Sequence, residues 1–441
     1  MAISKRYKQI LALALPIIGG MTSQNILNLV DTAMVGTLGD NALAGVGMGS
    51  FANFMAVAFI TGLSSGVQAM AARRYGEERF SETAYALNGG LLLAFTIALP
   101  LSICLFLLAP SFFPYLVDAK DVVKEGVPYL QMRLIAMVGV GMNFAFRGYW
   151  NGVNLSGLYM RTLLFMHACN IFLNWVLIFG HLGAPKMGAM GAGLGTAISV
   201  YLGTGFYFFM GMRHARKGGF LKSIPDKTTM RSMLKLAIPS GIQQFFFAAG
   251  MTVFFWIVGQ IGTRELAAAN VLVNLLLVAI LPGIGFGLAA ASLVGQALGH
   301  KNPDDAKAWG WDVSKLAATV VTILMLPALF VPDLFLGVFL HNQETLAVAR
   351  LPLQLVALGI GLDAVGMVLL NALLGAGASA TVMKIAVSFQ WFFFLPLAYI
   401  MGPYMGGGLF TVWALQIGYR GVQAGVFAMV WSKGKWASIE V

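Results

Sequence analysis

The chain has 441 residues, 59% of them hydrophobic and 10% charged, with a mean hydropathy of +0.80. A soluble domain carries about 25% charged residues, so the composition excludes a soluble enzyme or nucleic-acid-binding module and describes a polytopic membrane protein. The formal net charge of +11 is no nucleic-acid signal, because the basic residues sit at the ends of apolar runs, as the positive-inside rule requires.

The first apolar run falls near residues 10–37 and contains Asp31, with Gln24 and Asn28 on the same helical face. A carboxylate at membrane depth costs roughly 2.5–3.5 kcal/mol on the insertion scale. Either neighbouring helices satisfy it as a structural Asp, or it is a proton or cation site. Pro16 lies in the same run, followed by Gly19 and Gly20. It removes a backbone hydrogen bond and supplies a hinge or a static kink. No short apolar segment with a small-residue cleavage site precedes this run, so residues 1–9 are expected to be a cytoplasmic start.

Further runs of about 20 residues, enough to span, fall near 46–72, 84–110, 126–146, 160–181 and 188–212. A second set falls near 234–260, 266–297, 313–340, 348–373, 380–401 and 406–431, which makes twelve expected helices. Of the 28 Lys and Arg residues, Lys120, Lys124, Arg133, Lys186, Arg264 and Arg350 lie on or toward one side, and 22 (28 − 6) lie on the side of the termini. Both termini are therefore expected in the cytoplasm.

The intramembrane polar groups are few. Arg147 and Asn151 lie near the end of the fourth run, where snorkelling is the simplest expectation. Asn170 and Asn174, four apart, share a face of the fifth, as interhelical glue or as partners of Asp31. His167, one turn earlier, reads as an end-of-helix polar residue. In the second half Asp363 and Arg420 both sit inside apolar spans, where they either pair or contact substrate or cation. Gln243, Gln244, Gln416, Tyr419 and Gln423 add polar capacity there. Cys104 and Cys169 form no disulfide framework, and the histidines have no metal-ligand spacing, so no metal, cofactor or catalytic group is expected.

The basic loop from Arg213 to Arg231 divides the chain into expected lobes of residues 1–218 and 219–441. The halves repeat at one offset: Pro16 matches Pro239, and 239 − 16 = 223. The same shift carries Val35-Gly36 onto Val258-Gly259, Gly39 onto Gly262, Leu43-Ala44 onto Leu266-Ala267, Gly62 onto Gly285, Gly76 onto Gly299 and Gly152 onto Gly375. Glycine and proline set backbone geometry, so two six-helix bundles of one fold are implied. Parallel six-helix repeats are a transporter design. The repeat breaks where it is polar, for Asp31 maps to Phe254, Asn170 to Phe393 and Asn174 to Leu397. That asymmetry marks the first half as the one with a special site.

The segments NLVDTAMVGTLGDNALAGVG, IVGQIGTRELAAAN, NIFLNWVLIFG and GAMGAGLGTAIS resemble the MATE (multidrug and toxic compound extrusion) family of the MOP superfamily. The resemblance runs from about Leu11 to the end of the twelfth helix. It is strongest to the prokaryotic branch that includes the DNA-damage-inducible transporter. It implies an all-α fold of two pseudo-symmetric six-helix bundles and secondary active efflux of amphipathic or cationic compounds in exchange for H⁺ or Na⁺. It also implies a first-lobe cluster of one acid on helix 1, two polar or acidic residues on helix 5 and a Thr on helix 6. Those positions are Asp31, Asn170, Asn174 and Thr196 here. Asn174 stands where relatives often have Asp, and Phe247 stands where the Na⁺-linked branch has an acid on helix 7, while Asp363 on helix 10 is retained. Proton coupling through Asp31 is therefore favoured over Na⁺, with protonation tied to bending of helix 1 at Pro16. A carboxyl group desolvated among helices favours its neutral form, which suits that role.

The alternatives are a Na⁺-coupled antiporter and a lipid-linked flippase of the same superfamily. Twelve spans and few intramembrane basic groups disfavour the flippase. An intramembrane transferase lacks the clustered acids it needs, and a channel lacks a filter-like glycine loop. The expected setting is a bacterial inner membrane. A monomer is expected there, among membrane lipid, acting on small organic cations and not on nucleic acid.

Overall fold

The computed structural model describes residues 2–441, with the side chains of residues 2–4 left aside, and it is helical throughout, with no strand among the described residues. In the first half the helices are α1 (Ala2–Gly36), α2 (Asp40–Ala58), α3 (Gly62–Gly76), α4 (Tyr85–Phe112), α5 (Lys120–Ile135), α6 (Met137–Gly152), α7 (Ser156–Phe179) and α8 (Gly188–His214). In the second they are α9 (Lys227–Ile261), α10 (Thr263–Gly299), α11 (Pro303–Phe330), the short α12 (Pro332–Leu336), α13 (Gln343–Gly375), α14 (Ser379–Ser388), α15 (Leu395–Tyr399) and α16 (Leu409–Lys433). Two π-helical turns, Phe389–Phe394 and Ile400–Tyr404, flank α15.

Ten helical segments among the described residues are long and apolar enough to cross a membrane, and the bent α5–α6 pair makes eleven. The twelfth expected span is α16. Its 25 residues reach about 37 Å at 1.5 Å per residue, but Gln416, Arg420 and Gln423 lower its hydropathy.

The repeat holds in the backbone. Offset by 223, the start of α2 (Asp40) falls on that of α10 (Thr263), α5 (Lys120) on α13 (Gln343), and α7 (Ser156) on α14 (Ser379). Left-handed turn residues coincide as well: Glu78 (φ 59) with Lys301 (φ 57), Asn154 (φ 63) with Gly377 (φ 93), and Gly183 (φ 82) with Gly406 (φ 77).

Helix continuity differs between the halves. The counterpart of continuous α10 is broken between α2 and α3, and that of continuous α13 is bent by 48° at Ala136. The carbonyls freed at that bend are taken by hydroxyls, Ser102 Oγ donating to Leu134 O (2.6 Å) and Tyr201 Oη to Ile135 O (2.5 Å).

The chain packs as two compact units, residues 19–241 and residues 1–18 with 242–441. The packing division lies beyond the 218/219 boundary expected from the loop, because the loop is anchored to the first unit. Phe220 is fully buried and stacks edge-on with Phe146, and Asn88 Nδ2 donates to Gly219 O and Ser223 O, both at 2.9 Å. The loop ends in Asp226, which caps α9 by accepting from the Thr228 and Thr229 amides. Those bonds hold its carboxyl below the usual range, the Thr229 hydroxyl first.

The division also cuts α1 after Ile18 and α9 after Gly241, which are the same position in the repeat, two residues past Pro16 and Pro239. Each of these helices begins in one unit and ends in the other. The early part of α1 is held by Arg6, whose guanidinium bonds Asp305 and Asp312 at 2.7 Å each and covers the Trp309 ring at 3.6 Å. Gly285 sits against Ile18 of that part, and its repeat mate Gly62 sits against Ala237 and Gly241 of the early part of α9.

Candidate functional site

The site in residues 19–241 starts from small residues. A Cβ on Gly19 would meet Met160 Sδ at 3.0 Å, and one on Gly20 would meet Leu163 and Tyr159 at 2.9 and 3.0 Å. Helix α1 therefore approaches α7 closely enough for short polar side chains to bond across. Asn174 Nδ2 donates to Asp31 Oδ1 and to Asn170 Oδ1, both at 2.8 Å. Asn170 Nδ2 donates to Thr196 Oγ1 and Ser199 Oγ on α8, both at 3.1 Å. Asn174 and Asn170 are 0% and 2% exposed, so the amides form a dry relay that ends on a half-buried carboxyl. The four residues singled out on the first half, Asp31, Asn170, Asn174 and Thr196, are thus in one hydrogen-bonded chain.

Asn174 keeps one group in reserve. Its Oδ1 is buried without a hydrogen-bond partner and lies against Gly195, where any side chain would displace it. A buried acceptor left unmade costs about 1–3 kcal/mol. The amide uses both N–H groups while its acceptor stays empty.

Gln24 shares the α7-facing side of α1 with Asp31, and Asn28 bonds to Gln24, but neither bonds to the carboxyl itself. His167 Nε2 donates to Gln24 Oε1 at 3.0 Å, Nδ1 meets Ser23 Oγ at 2.6 Å, and Gln24 Nε2 donates to Asn28 Oδ1 at 3.3 Å. His167 is buried and bridges α7 to α1, so the reading of it as an end-of-helix polar group is corrected. Its position three residues before Asn170, on the same helical face, was the available signal. Ser23 and Ser199 were missed because lone serines in an apolar run are common. Arg133 was assigned only to topology. Its charge lies within electrostatic reach of Asp31, and its Nη1 donates to Tyr129 Oη at 2.7 Å. Pro16 lies fifteen residues before Asp31, in the part of α1 that belongs to the other unit. Arg147 does not snorkel: its Nε donates to Ser64 Oγ at 3.1 Å and its guanidinium lies 4.5 Å from the Phe144 ring.

In the second unit Arg420 Nε donates to Asp363 Oδ1 at 2.7 Å, so the two intramembrane charges pair. Gln243, Gln390, Tyr419, Arg420 and Gln423 line one crevice, and Gln244 is half-buried outside its lining.

A family model described as MatE matches residues 16–176 and again 239–400, so each match begins at a repeat proline. A probable multidrug resistance protein NorM of Thermotoga maritima is 26% identical over 443 residues, covering 97% of this chain and 93% of that one. A protein of the same description from Pseudomonas aeruginosa is 26% identical over 92% of this chain and 85% of its own. A solved outward-facing multidrug resistance MATE family transporter of the MOP superfamily superimposes with a TM-score of 0.89 at 20% identity, covering 98% of this chain and 97% of that one. A solved MATE in the straight conformation gives 0.86 at 22% identity over the same shares.

Proposed function

The chain belongs to the MATE family of membrane transporters, and from that premise we propose that it is a secondary active multidrug efflux antiporter. It exports amphipathic, cationic organic compounds from a bacterial cell in exchange for H⁺, with Asp31 as the group that takes the proton. The observation that carries the reading is the Asn174–Asp31 hydrogen bond between α7 and α1. The excess of basic residues on the side of the termini supports an inner-membrane orientation with both termini cytoplasmic.

A carboxylate accepts the Asn174 N–H in a charge-assisted bond, worth about 1.5–3 kcal/mol against about 0.5–1.5 for a neutral one. Protonation removes that charge and gives Asp31 an O–H that needs an acceptor. Asn174 Oδ1, unpartnered in its buried position, supplies one when the amide turns over. The difference of about 1–2 kcal/mol is enough for a roughly tenfold shift in a two-state helix packing. Asp31 bonds across from α1 to α7, so a change in its bonding acts on the packing of those two helices. A proton and an organic cation neutralise the same carboxylate, and each therefore releases the other.

The test is transport in proteoliposomes under an imposed H⁺ or Na⁺ gradient. An H⁺ gradient is expected to drive accumulation, a Na⁺ gradient to drive none, and Asp31→Asn to reduce the H⁺-driven rate to background. Export by Asp31→Asn at the wild-type rate would overturn the proposal. Drive by Na⁺ alone would replace it with Na⁺ coupling.

A further inference from the structure

Residues 19–241 hold a cation that the exchange at Asp31 does not use. The ion pairs among the described residues engage Arg6, Arg79, Arg264, Arg350 and Arg420, and Arg147 is in none of them. Arg147 lies among hydroxyl groups instead. Its Nε donates to Ser64 Oγ on α3 at 3.1 Å, and its charge is within reach of the Tyr159 hydroxyl on α7 and the Tyr207 hydroxyl on α8. Ser64, Tyr159 and Tyr207 are 1%, 6% and 1% exposed, so bulk water does not screen the guanidinium from their side. A charge held inside a bundle without an opposite charge is costly.

The repeat supplies an internal control. Offset by 223, Ser64 falls on Gly287, Arg147 on Leu370, Tyr159 on Val382 and Tyr207 on Val430. Val382 is fully buried in the apolar core of the second unit, and Leu370 and Val430 pack against that core. One half of the scaffold closes this place with small and apolar residues, so the fold alone does not call for the four polar ones in the other half. Burying them is unfavourable unless their hydrogen-bonding groups find partners.

One partner is missing. Tyr207 Oη is buried without a hydrogen-bond partner, within electrostatic reach of both Arg147 and Tyr159. Its ring is fixed by stacking on Phe146, with centroids 5.0 Å apart and planes within 8°. Ser64 Oγ accepts from Arg147, so its own hydrogen is to be given elsewhere. The cluster thus offers N–H and O–H donors and one positive charge, and no negative group to receive them. We propose that Arg147, Ser64, Tyr159 and Tyr207 form a binding site for a small monovalent anion, of which chloride is the simplest. The anion neutralises the guanidinium and takes the Tyr207 hydroxyl hydrogen. A Cβ on Gly148, next to Arg147, would strike Ser64 O, so α3 and α6 touch here and the space suits an ion and not a lipid head group. Arg147, Tyr159 and Tyr207 all stand near the same ends of α6, α7 and α8, within about 10 Å of them at 1.5 Å per residue, which is the side from which a dissolved ion enters. The inference does not rest on the efflux reading, since no step of proton exchange enters it.

The experiment follows the thermal unfolding midpoint of the full-length protein in phosphatidylcholine nanodiscs as sodium chloride replaces sodium gluconate at constant ionic strength. Chloride is expected to raise the midpoint saturably, as a ligand of the folded state does, and bromide should substitute for it. Arg147→Leu, which installs the residue of the second half, should lose the chloride response. Tyr207→Phe removes only the unpartnered hydroxyl and keeps the stacked ring. It should raise the half-saturating chloride concentration by about tenfold, the scale of one hydrogen bond to an ion, and it serves if Arg147→Leu does not fold. In gluconate its midpoint should be no lower than that of the parent, because the hydroxyl it lacks had no partner there. A midpoint indifferent to chloride, or a chloride response unchanged in Arg147→Leu or in Tyr207→Phe, overturns the proposal. A midpoint that rises with added phosphatidylglycerol in place of chloride gives Arg147 to a lipid head group and overturns it as well.

Discussion

Two polar sites occupy corresponding places in the repeat and are built to opposite ends. Thr196 corresponds to Tyr419 and His167 to Gln390, so helices five and six of each half contribute at matching positions. In residues 19–241 the acid is Asp31, bonded to an amide, on a helix shared by the two units. In the other unit the acid is Asp363, bonded to a guanidinium, on a helix that lies wholly within one unit. The position matching Asp31 is Phe254, buried in an aromatic cluster with Phe394 and Trp413 at 5.7 and 5.5 Å. A duplicated scaffold can thus hold two intramembrane acids with different freedom. On the proposed reading the first acid takes the proton, whereas the second has a cation bonded to it where it stands.

The largest effect expected from this contrast is on transport. Asp31→Asn keeps the shape of the side chain and removes its titration, and H⁺-driven export should fall to background in proteoliposomes. Asp363→Asn should retain H⁺-driven export, because that acid already has a cation beside it. Equal loss in both variants would break the contrast.

The next effect is on stability. Arg420 and Asp363 side chains are 23% and 18% exposed, and removing one member of a buried pair costs about 3–5 kcal/mol. Asp363→Ala and Arg420→Ala should each lower the thermal unfolding midpoint strongly. The double replacement Asp363→Leu with Arg420→Met should recover most of it, since apolar residues of similar volume replace a buried pair with little loss. A double variant as unstable as either single one would mean that the pair does more than neutralise charge.

Much of this was legible in the sequence because it rests on residues with local meaning. Pro16, Pro239 and the glycines constrain the backbone wherever they occur, and the repeat could be read from them alone. Asp31 is costly at membrane depth whatever surrounds it. The partners chosen by packing were not legible. His167 bonds to Gln24 only because Gly19 and Gly20 let α1 approach α7. The bend at Ala136 depends on hydroxyls from two other helices, which no local pattern announces. The exchange of α1 and α9 between units was hidden for a similar reason. Each is an unbroken helix through its proline, so nothing in the run marks where the packing changes sides.

That exchange can be tested through Gly62 and Gly285, which are repeat mates but face different atoms. A Cβ on Gly62 would meet backbone, with Ala237 O at 2.6 Å and Gly241 Cα at 2.7 Å, while one on Gly285 would meet the Ile18 side chain. Backbone cannot turn aside, and overpacking of that kind costs typically about 1–3 kcal/mol. Gly62→Ala should therefore lower the unfolding midpoint clearly, and Gly285→Ala less, because Ile18 can change rotamer. The reverse order would mean that the α9 contact is the more forgiving of the two.

The smallest effect belongs where the halves should agree. Gly183 and Gly406 are repeat mates with φ of 82° and 77°, and neither has an atom within 4 Å of a built Cβ. Only the backbone opposes a side chain there, at roughly 1–2 kcal/mol for a left-handed residue. Gly183→Ala and Gly406→Ala should each destabilise by about that amount and match one another within about 0.5 kcal/mol, since sites this far apart in kind are independent. Asn at either position should cost less, because its short polar side chain tolerates this conformation, as Asn154 does at φ 63 where its own mate is Gly377. Thermal unfolding of the purified variants reads all four. A clear difference between the two alanine variants would show that the turns, like the polar sites, have diverged in what surrounds them.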